Sequence, residues 1–144
     1  MTSKVKRILL LTLLPILIAM AIGYYFYNRG PVDISDSKGI PVDAATLYQD
    51  YLQDTASASI KYGSKVLEVT GTLQEARKTS QGEYIILLQT GTEGAFINCS
   101  LEGKAVDPAL TGKITVKGIC DGLLMDQDLG IPGDVILKRA VLKK

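Results

Sequence analysis

Between Ile8 and Tyr27 the chain runs for 20 residues without a charge, ILLLTLLPILIAMAIGYYFY. As an α-helix rising about 1.5 Å per residue, such a run is about 30 Å long, which matches the hydrocarbon core of a bilayer. Lys4, Lys6 and Arg7 precede it, and only Arg29 follows closely. The excess of positive charge before the span predicts that the N-terminus stays in the cytoplasm and the remainder crosses. Tyr24, Tyr25, Phe26 and Tyr27 stand where an aromatic belt meets the far headgroups. Pro15 falls mid-span, a position that membrane helices tolerate. The competing reading is a cleaved signal peptide, because Ala19-Met20-Ala21 has the small-x-small form of a cleavage site. Against it, the apolar run continues to Tyr27, and no Cys stands near residue 20 to carry a lipid. The expectation is a basic segment at 1–7, a single-pass anchor of the cytoplasmic membrane at 8–27, and an extracytoplasmic C-terminal part.

Composition narrows the chemistry of that C-terminal part. The whole chain of 144 residues carries 16 Lys and Arg against 15 Asp and Glu. Four of the basic residues precede Gly30, so the remainder holds 12 basic and 15 acidic side chains and is net −3. A domain of that sign exerts no general pull on phosphate backbones. The chain contains no His, which removes Ser-His-Asp and Cys-His dyads and His-ligated metal or haem. Its two Cys are too few for a four-cysteine zinc site. There is no P-loop, dinucleotide fingerprint, nucleophile elbow or locally spaced carboxylate pair. The sequence reads as a binding protein with no cofactor, and not as an enzyme.

Residues 28–42 are polar, rich in Gly and Pro and without periodicity, and read as a tether before a domain at 43–144. Asp43 offers an N-cap to a helix over Ala44–Ser57, with Leu47, Tyr48, Tyr51 and Leu52 as its apolar stripe. After Gly63 the period changes to two. Lys65–Leu73 alternates, Glu83–Thr90 is a continuous apolar run, and Gly94–Ser100 is a third strand. A short helical candidate at Val106–Leu110 precedes the alternating Lys113–Asp121, and Asp134–Leu142 closes the chain. Five strands with a helical segment between the third and fourth predict a mainly β fold, the five-stranded OB-fold Greek-key barrel, preceded by one amphipathic helix. A five-stranded SH3-like barrel is the rival architecture. Gly71 and Gly118 inside strands suit sharp bends of a small barrel.

Several of these segments resemble the tRNA anticodon-binding-like OB-fold family. They are Val66–Gly71 (VLEVTG), the strand ending near Cys99, and above all Val116–Gly122 (VKGICDG) with Gly133–Leu137 (GDVIL). The resemblance covers about residues 44–142 and implies an OB domain of the kind found in small bacterial lipoproteins and membrane-tethered proteins. It implies nucleic-acid binding by analogy of fold only. Members often carry a further Cys on the last strand, where this chain has Ala140, and the lipid-bearing Cys of the lipoproteins has no counterpart. The haem chaperone of cytochrome c maturation is also an anchored OB domain, but its haem-attaching His has no equivalent here, so no haem is expected.

In OB-folds the loops after the first and fourth strands flank the binding face. The first, Ala76–Gly82, brings Arg77 and Lys78. The second, Asp121–Asp134, brings four carboxylates and the apolar Leu123, Leu124 and Met125. One flank is basic and the other acidic, so no uniformly positive groove is expected. Tyr84 and Phe96 are the aromatics available to stack a base, with core or barrel-wall packing as the plainer expectation. Asp126-x-Asp128-x-Gly130 has a superficial calcium spacing but fails the EF-hand template. Cys99 and Cys120 face inward by strand parity, and their strands are not neighbours in the OB order, which disfavours a disulfide. The expected ligand face is therefore Arg77, Lys78, Tyr84, Phe96, Asp126 and Asp128, the expected partner a protein, peptide, glycan or envelope assembly, and nucleic acid the second choice.

Overall fold

A computed structural model describes residues 3–28, 30, 33–103, 106, 107, 109–126, 128 and 130–143. The chain divides after Val32 into two compact units. The first contains α1 (Ser3–Asn28), which carries Pro15 within it. Its stretch Leu10–Asn28 is long and apolar enough to cross a membrane, and its side chains lie exposed on that unit.

The second unit is a barrel with helices packed on it. In chain order it contains β1 (Ile40–Asp43), α2 (Ala44–Gln53), α3 (Thr55–Tyr62), β2 (Val66–Lys78), β3 (Tyr84–Gln89), β4 (Phe96–Leu101), β5 (Lys113–Asp126) and β6 (Ile131–Lys143). The strands pair in the order β2-β3-β4-β6-β5, and β5 returns to β2 to close the ring. β4 and β6 run parallel, while the other pairs of the ring are antiparallel. The fifth barrel strand thus lies between the third and fourth, which is the Greek-key closure of the OB-fold. Closure removes the sheet edges that an open five-stranded sheet would expose.

Strand β2 serves two neighbours. Val66–Thr72 pairs with β5, and Leu73–Lys78 pairs with β3. Gly71 sits at the changeover because a Cβ there would lie 2.8 Å from the Ala44 Cβ and 3.3 Å from the Leu88 Cβ. The barrel interior is filled by Leu67, Val69, Ile86, Leu88, Ile97, Val116, Val135 and Leu137, all fully buried. On β2, β4, β5 and β6 these are the inward positions of alternating strands, so burial and period agree there.

The helical segment differs from the single helix expected over Ala44–Ser57. Asp54 leaves helical geometry at φ −155° and ψ 95°, and its carboxylate accepts from the backbone N–H groups of Ala56 (3.0 Å) and Ser57 (3.1 Å). Capping a second helix satisfies two otherwise orphaned donors and ends the first. Leu47, Tyr48 and Tyr51 of the predicted stripe are buried, whereas Leu52 is 44% exposed.

The tether reading also needs correction from residue 33 onward. Ile34 is only 2% exposed, and Ile40–Asp43 forms a parallel ladder with Leu67–Thr70. The Nζ of Lys117, on the outer wall of β5, donates to the carbonyl oxygens of Ser35 (3.0 Å) and Ser37 (2.8 Å) and lies 3.5 Å from a Glu68 carboxylate oxygen. Asp33–Asp43 is therefore a strap bound to the barrel wall.

Two further expectations fall away. The described residues of Val106–Leu110 form no helix; Leu110 N–H closes a single turn onto the Asp107 carbonyl at 3.0 Å. The stretch Asp121–Asp134 is mostly ladder, since β5 and β6 stay paired out to Asp126 and Ile131. Gly133 permits that extension, because a Cβ there would collide with the carbonyl of Leu124.

Candidate binding face

The outer surface of β3, β4 and β6 carries a shallow hollow. On β4, Ile97 and Cys99 point into the barrel and Phe96 and Asn98 line the outside. On β6, Val135 and Leu137 point in, with Asp134 and Ile136 outside. Leu87 of β3 also lines the outer hollow yet is only 8% exposed. The β5–β6 hairpin supplies the remaining wall through Leu124 and Ile131, which are 69% and 54% exposed, and through Pro132. The hollow encloses about 410 Å³. Exposed apolar side chains grouped around a concavity mark interaction surfaces more than isolated ones do.

Among the described residues Asp134 is the only charged one in that lining, and no Lys or Arg contributes to it. Its carboxylate accepts from the Phe96 backbone N–H at 3.0 Å, which ties the starts of β4 and β6 together. Among the described residues it forms no ion pair. Burial chiefly, and secondarily the negative charge of Asp134, hold the Tyr48 hydroxyl above the usual tyrosine range. A second hollow of about 360 Å³ shares Gly94 and Phe96 with the first and extends to Gln74, Gln89 and Glu93.

The opposite flank is organised differently from the sequence expectation. Arg77 and Lys78 belong to β2, paired with Ile85 and Tyr84, and not to the following loop. Lys78 Nζ lies 5.4 Å from the centroid of the Tyr84 ring, a cation–π distance. Tyr84 is half-buried and packs against the core. It pairs with Leu101, while Phe96 pairs with Gln89 at the other end of the same β3–β4 ladder. Five residues at about 3.3 Å per residue separate them by about 16 Å. The two aromatics therefore do not form one stacking platform.

A hollow of about 540 Å³ joins Tyr84 to Gln81, Ser100, Lys138 and Arg139. Its cations are engaged: Lys138 lies 2.6 Å from Asp121, and Arg139 lies 3.1 Å from Glu102. Arg139 takes a left-handed φ of 50°, next to the register shift where β4 meets β6. Asp126 ends β5, and its side chain lies outside the described residues; Asp128 is exposed at the hairpin turn. Among the described residues no three His, Cys, Asp or Glu side chains are grouped to hold a metal ion.

Cys99 and Cys120 are free and buried. Both pair with Leu137 across β6, one on each side, so two strand spacings of about 4.8 Å separate them. That exceeds the Cα separation of about 4.4–6.8 Å that a disulfide needs. The Cys120 Sγ lies 3.3 Å from the Tyr51 hydroxyl, and burial first and this contact second push that hydroxyl well above its ordinary range.

The closed Greek-key barrel defines an OB domain. The chain belongs to the tRNA_anti-like family, which matches residues 1–129. Among solved structures, a crystal structure described as a "putative nucleic acid-binding lipoprotein" from Klebsiella pneumoniae is 21% identical, covers 80% of this chain and 100% of its own, and has a TM-score of 0.47. A "putative aspartyl-tRNA synthetase" from Leishmania major is 8% identical, with 78% of this chain and 22% of its own length covered and a TM-score of 0.38. No curated protein matches the sequence.

Proposed function

We propose that the chain is a membrane-anchored binding module whose OB domain lies outside the cytoplasm and recognises a polypeptide partner through the outer face of β3, β4 and β6. The observation that carries this reading is the apolar hollow around Phe96, whose lining, among the described residues, has one carboxylate and no cation. Binding a phosphate chain requires Lys or Arg along the track, with aromatic platforms beside them. The apolar stretch Leu10–Asn28 supports the anchor, and Lys4, Lys6 and Arg7 on its N-terminal side support an inside N-terminus.

Nucleic acid is the second reading, and one cluster favours it: Lys78 over Tyr84, beside a hollow that includes Lys138 and Arg139. The ion pairs with Asp121 and Glu102 offset those cations. The deciding experiment is titration of the full-length protein in detergent with poly-dT at two salt concentrations. The polypeptide reading expects no binding even at low salt. A submicromolar affinity in physiological salt that falls steeply with added salt would replace it with the nucleic-acid reading.

A further inference from the structure

We infer that the hollow around Phe96 takes an apolar side chain from a polypeptide segment that carries a lysine or arginine beside it, with the partner's cation pairing to Asp134. This rests on the polypeptide reading given above. Asp43, Asp50, Glu68, Glu102 and Asp121 each have a Lys or Arg within 4 Å, the longest at 3.9 Å. Among the described residues Asp54, Glu75, Glu83, Glu93, Asp107 and Asp134 have no Lys or Arg within 4 Å, and of these Asp134 is the one that lines the hollow around Phe96, walled also by Leu87, Leu124, Ile131 and Ile136. The half-buried carboxylate already accepts from the Phe96 N–H and keeps acceptor capacity for a charge-assisted bond from a partner's cation.

The neighbouring hollow continues the same character. It shares Phe96, adds the amides of Gln74 and Gln89, and its one charge is Glu93. Among the described residues that line the two hollows, the charges are the carboxylates of Asp134 and Glu93, which favour a basic chain over a phosphate chain there. A hollow of about 410 Å³ sits at the small end of ligand pockets, which suits one or two side chains and not a folded surface.

The test uses ¹⁵N-labelled full-length protein in phosphatidylcholine nanodiscs. Three probes are titrated: the end-blocked peptides Gly-Lys-Leu-Lys-Gly and Gly-Glu-Leu-Glu-Gly, and a dT oligomer. The lysine peptide is expected to shift the amide signals of Phe96, Asn98 and Ile136, with the glutamate peptide about tenfold weaker or more, a difference of about 1.4 kcal/mol. Asp134→Asn keeps an oxygen to accept from the Phe96 amide and removes the charge. It is expected to reduce the lysine peptide to the level of the glutamate peptide while the rest of the spectrum is unchanged. Equal binding of both peptides, an unaffected Asp134→Asn variant, or shifts located elsewhere would each overturn the assignment to Asp134 and leave a polypeptide partner standing. Signals moved by the dT oligomer and by neither peptide would overturn the polypeptide reading as well. Silence from all three probes would also reject this site.

Discussion

The Nζ of Lys117 lies 2.8 Å from the carbonyl oxygen of Ser37, a residue 80 positions earlier in the chain. Lys117 is 8% exposed, so its charge is compensated by the Ser35 and Ser37 carbonyls and by Glu68. Lys117→Met keeps the aliphatic stem and removes the donor. Hydrogen bonds to a charged group contribute about 1.5–3 kcal/mol each, so losing the two from Lys117 is expected to cost about 3 kcal/mol or more while Glu68 keeps Lys143. Amide exchange should accelerate first in Ile40–Asp43. Unchanged protection of that strand would mean that the strap is held by Ile34 and the β1 ladder alone.

Acid should weaken the same region. The hydrogen bond from Lys143, followed by the contacts from Lys117, holds the Glu68 carboxyl below its ordinary value of 4.5. The unfolded chain therefore takes up this proton more readily than the folded one. The stabilisation is fully present above 4.5 and disappears as pH falls through the folded value. Urea midpoints measured from pH 7 down to pH 3 should decline less steeply in Glu68→Gln than in the unaltered protein. Parallel curves would assign the acid sensitivity to Asp50 and Asp54 instead. Tyr62 and Ser57 respectively are the leading causes that lower those two carboxyls.

At Gly71 the constraint is space. A methyl group 2.8 Å from the Ala44 Cβ forces α2 and β2 apart, and overpacking of this kind costs about 1–3 kcal/mol. Thermal unfolding of Gly71→Ala should show that loss, and Ala44→Gly in the same chain should recover part of it. A double variant no better than the single one would locate the crowding at Leu88.

The two thiols should behave as core side chains. Burial pushes the Cys99 thiol far above its usual range, and both cysteines are at most 1% exposed. Thiolates are the reactive species. A maleimide should label neither cysteine in the native protein and both in urea, and an oxidant should form no bridge between them in the native state. Native labelling of Cys120 alone would show that α2 lifts from the barrel and uncovers the Tyr51 contact.

Much of the barrel was legible because period and burial coincide. The alternation of Lys65–Leu73 and Lys113–Asp121 puts Leu67, Val69, Val116 and Cys120 on one face of their strands, and each is buried. What escaped had physical reasons. β1 is four residues long, contains Pro41 and follows a polar Gly- and Ser-bearing stretch, so nothing local marks it as a strand. Its position depends on β2 and on a lysine from β5. The β5–β6 hairpin is interrupted by Gly122, Gly130, Pro132 and Gly133, which read as turn residues, yet Gly133 is there to admit the Leu124 carbonyl. The break at Asp54 had a signal in hand, an Asp followed three residues later by Ser57, obscured by an unbroken helical pattern on either side.

The binding face was only half visible for a related reason. Phe96 was identified, but its expected companion Tyr84 lies at the far end of the ladder. Leu87 sits in the continuous run EYIILLQT, where the absence of alternation hides which residues face out. Asp134 looked like a loop carboxylate until the hairpin ladder placed it opposite Leu124.

The fastening of the strap also sets an order of events in time. A ribosome delivers Ser35 and Ser37 long before Lys117, and the partner of Val66 in the closing ladder, Ile119, arrives later still. The first segment of the domain to be made thus waits for a late strand to clasp it, and a nascent chain halted before β5 has neither a closed ring nor the Lys117 clasp on its beginning.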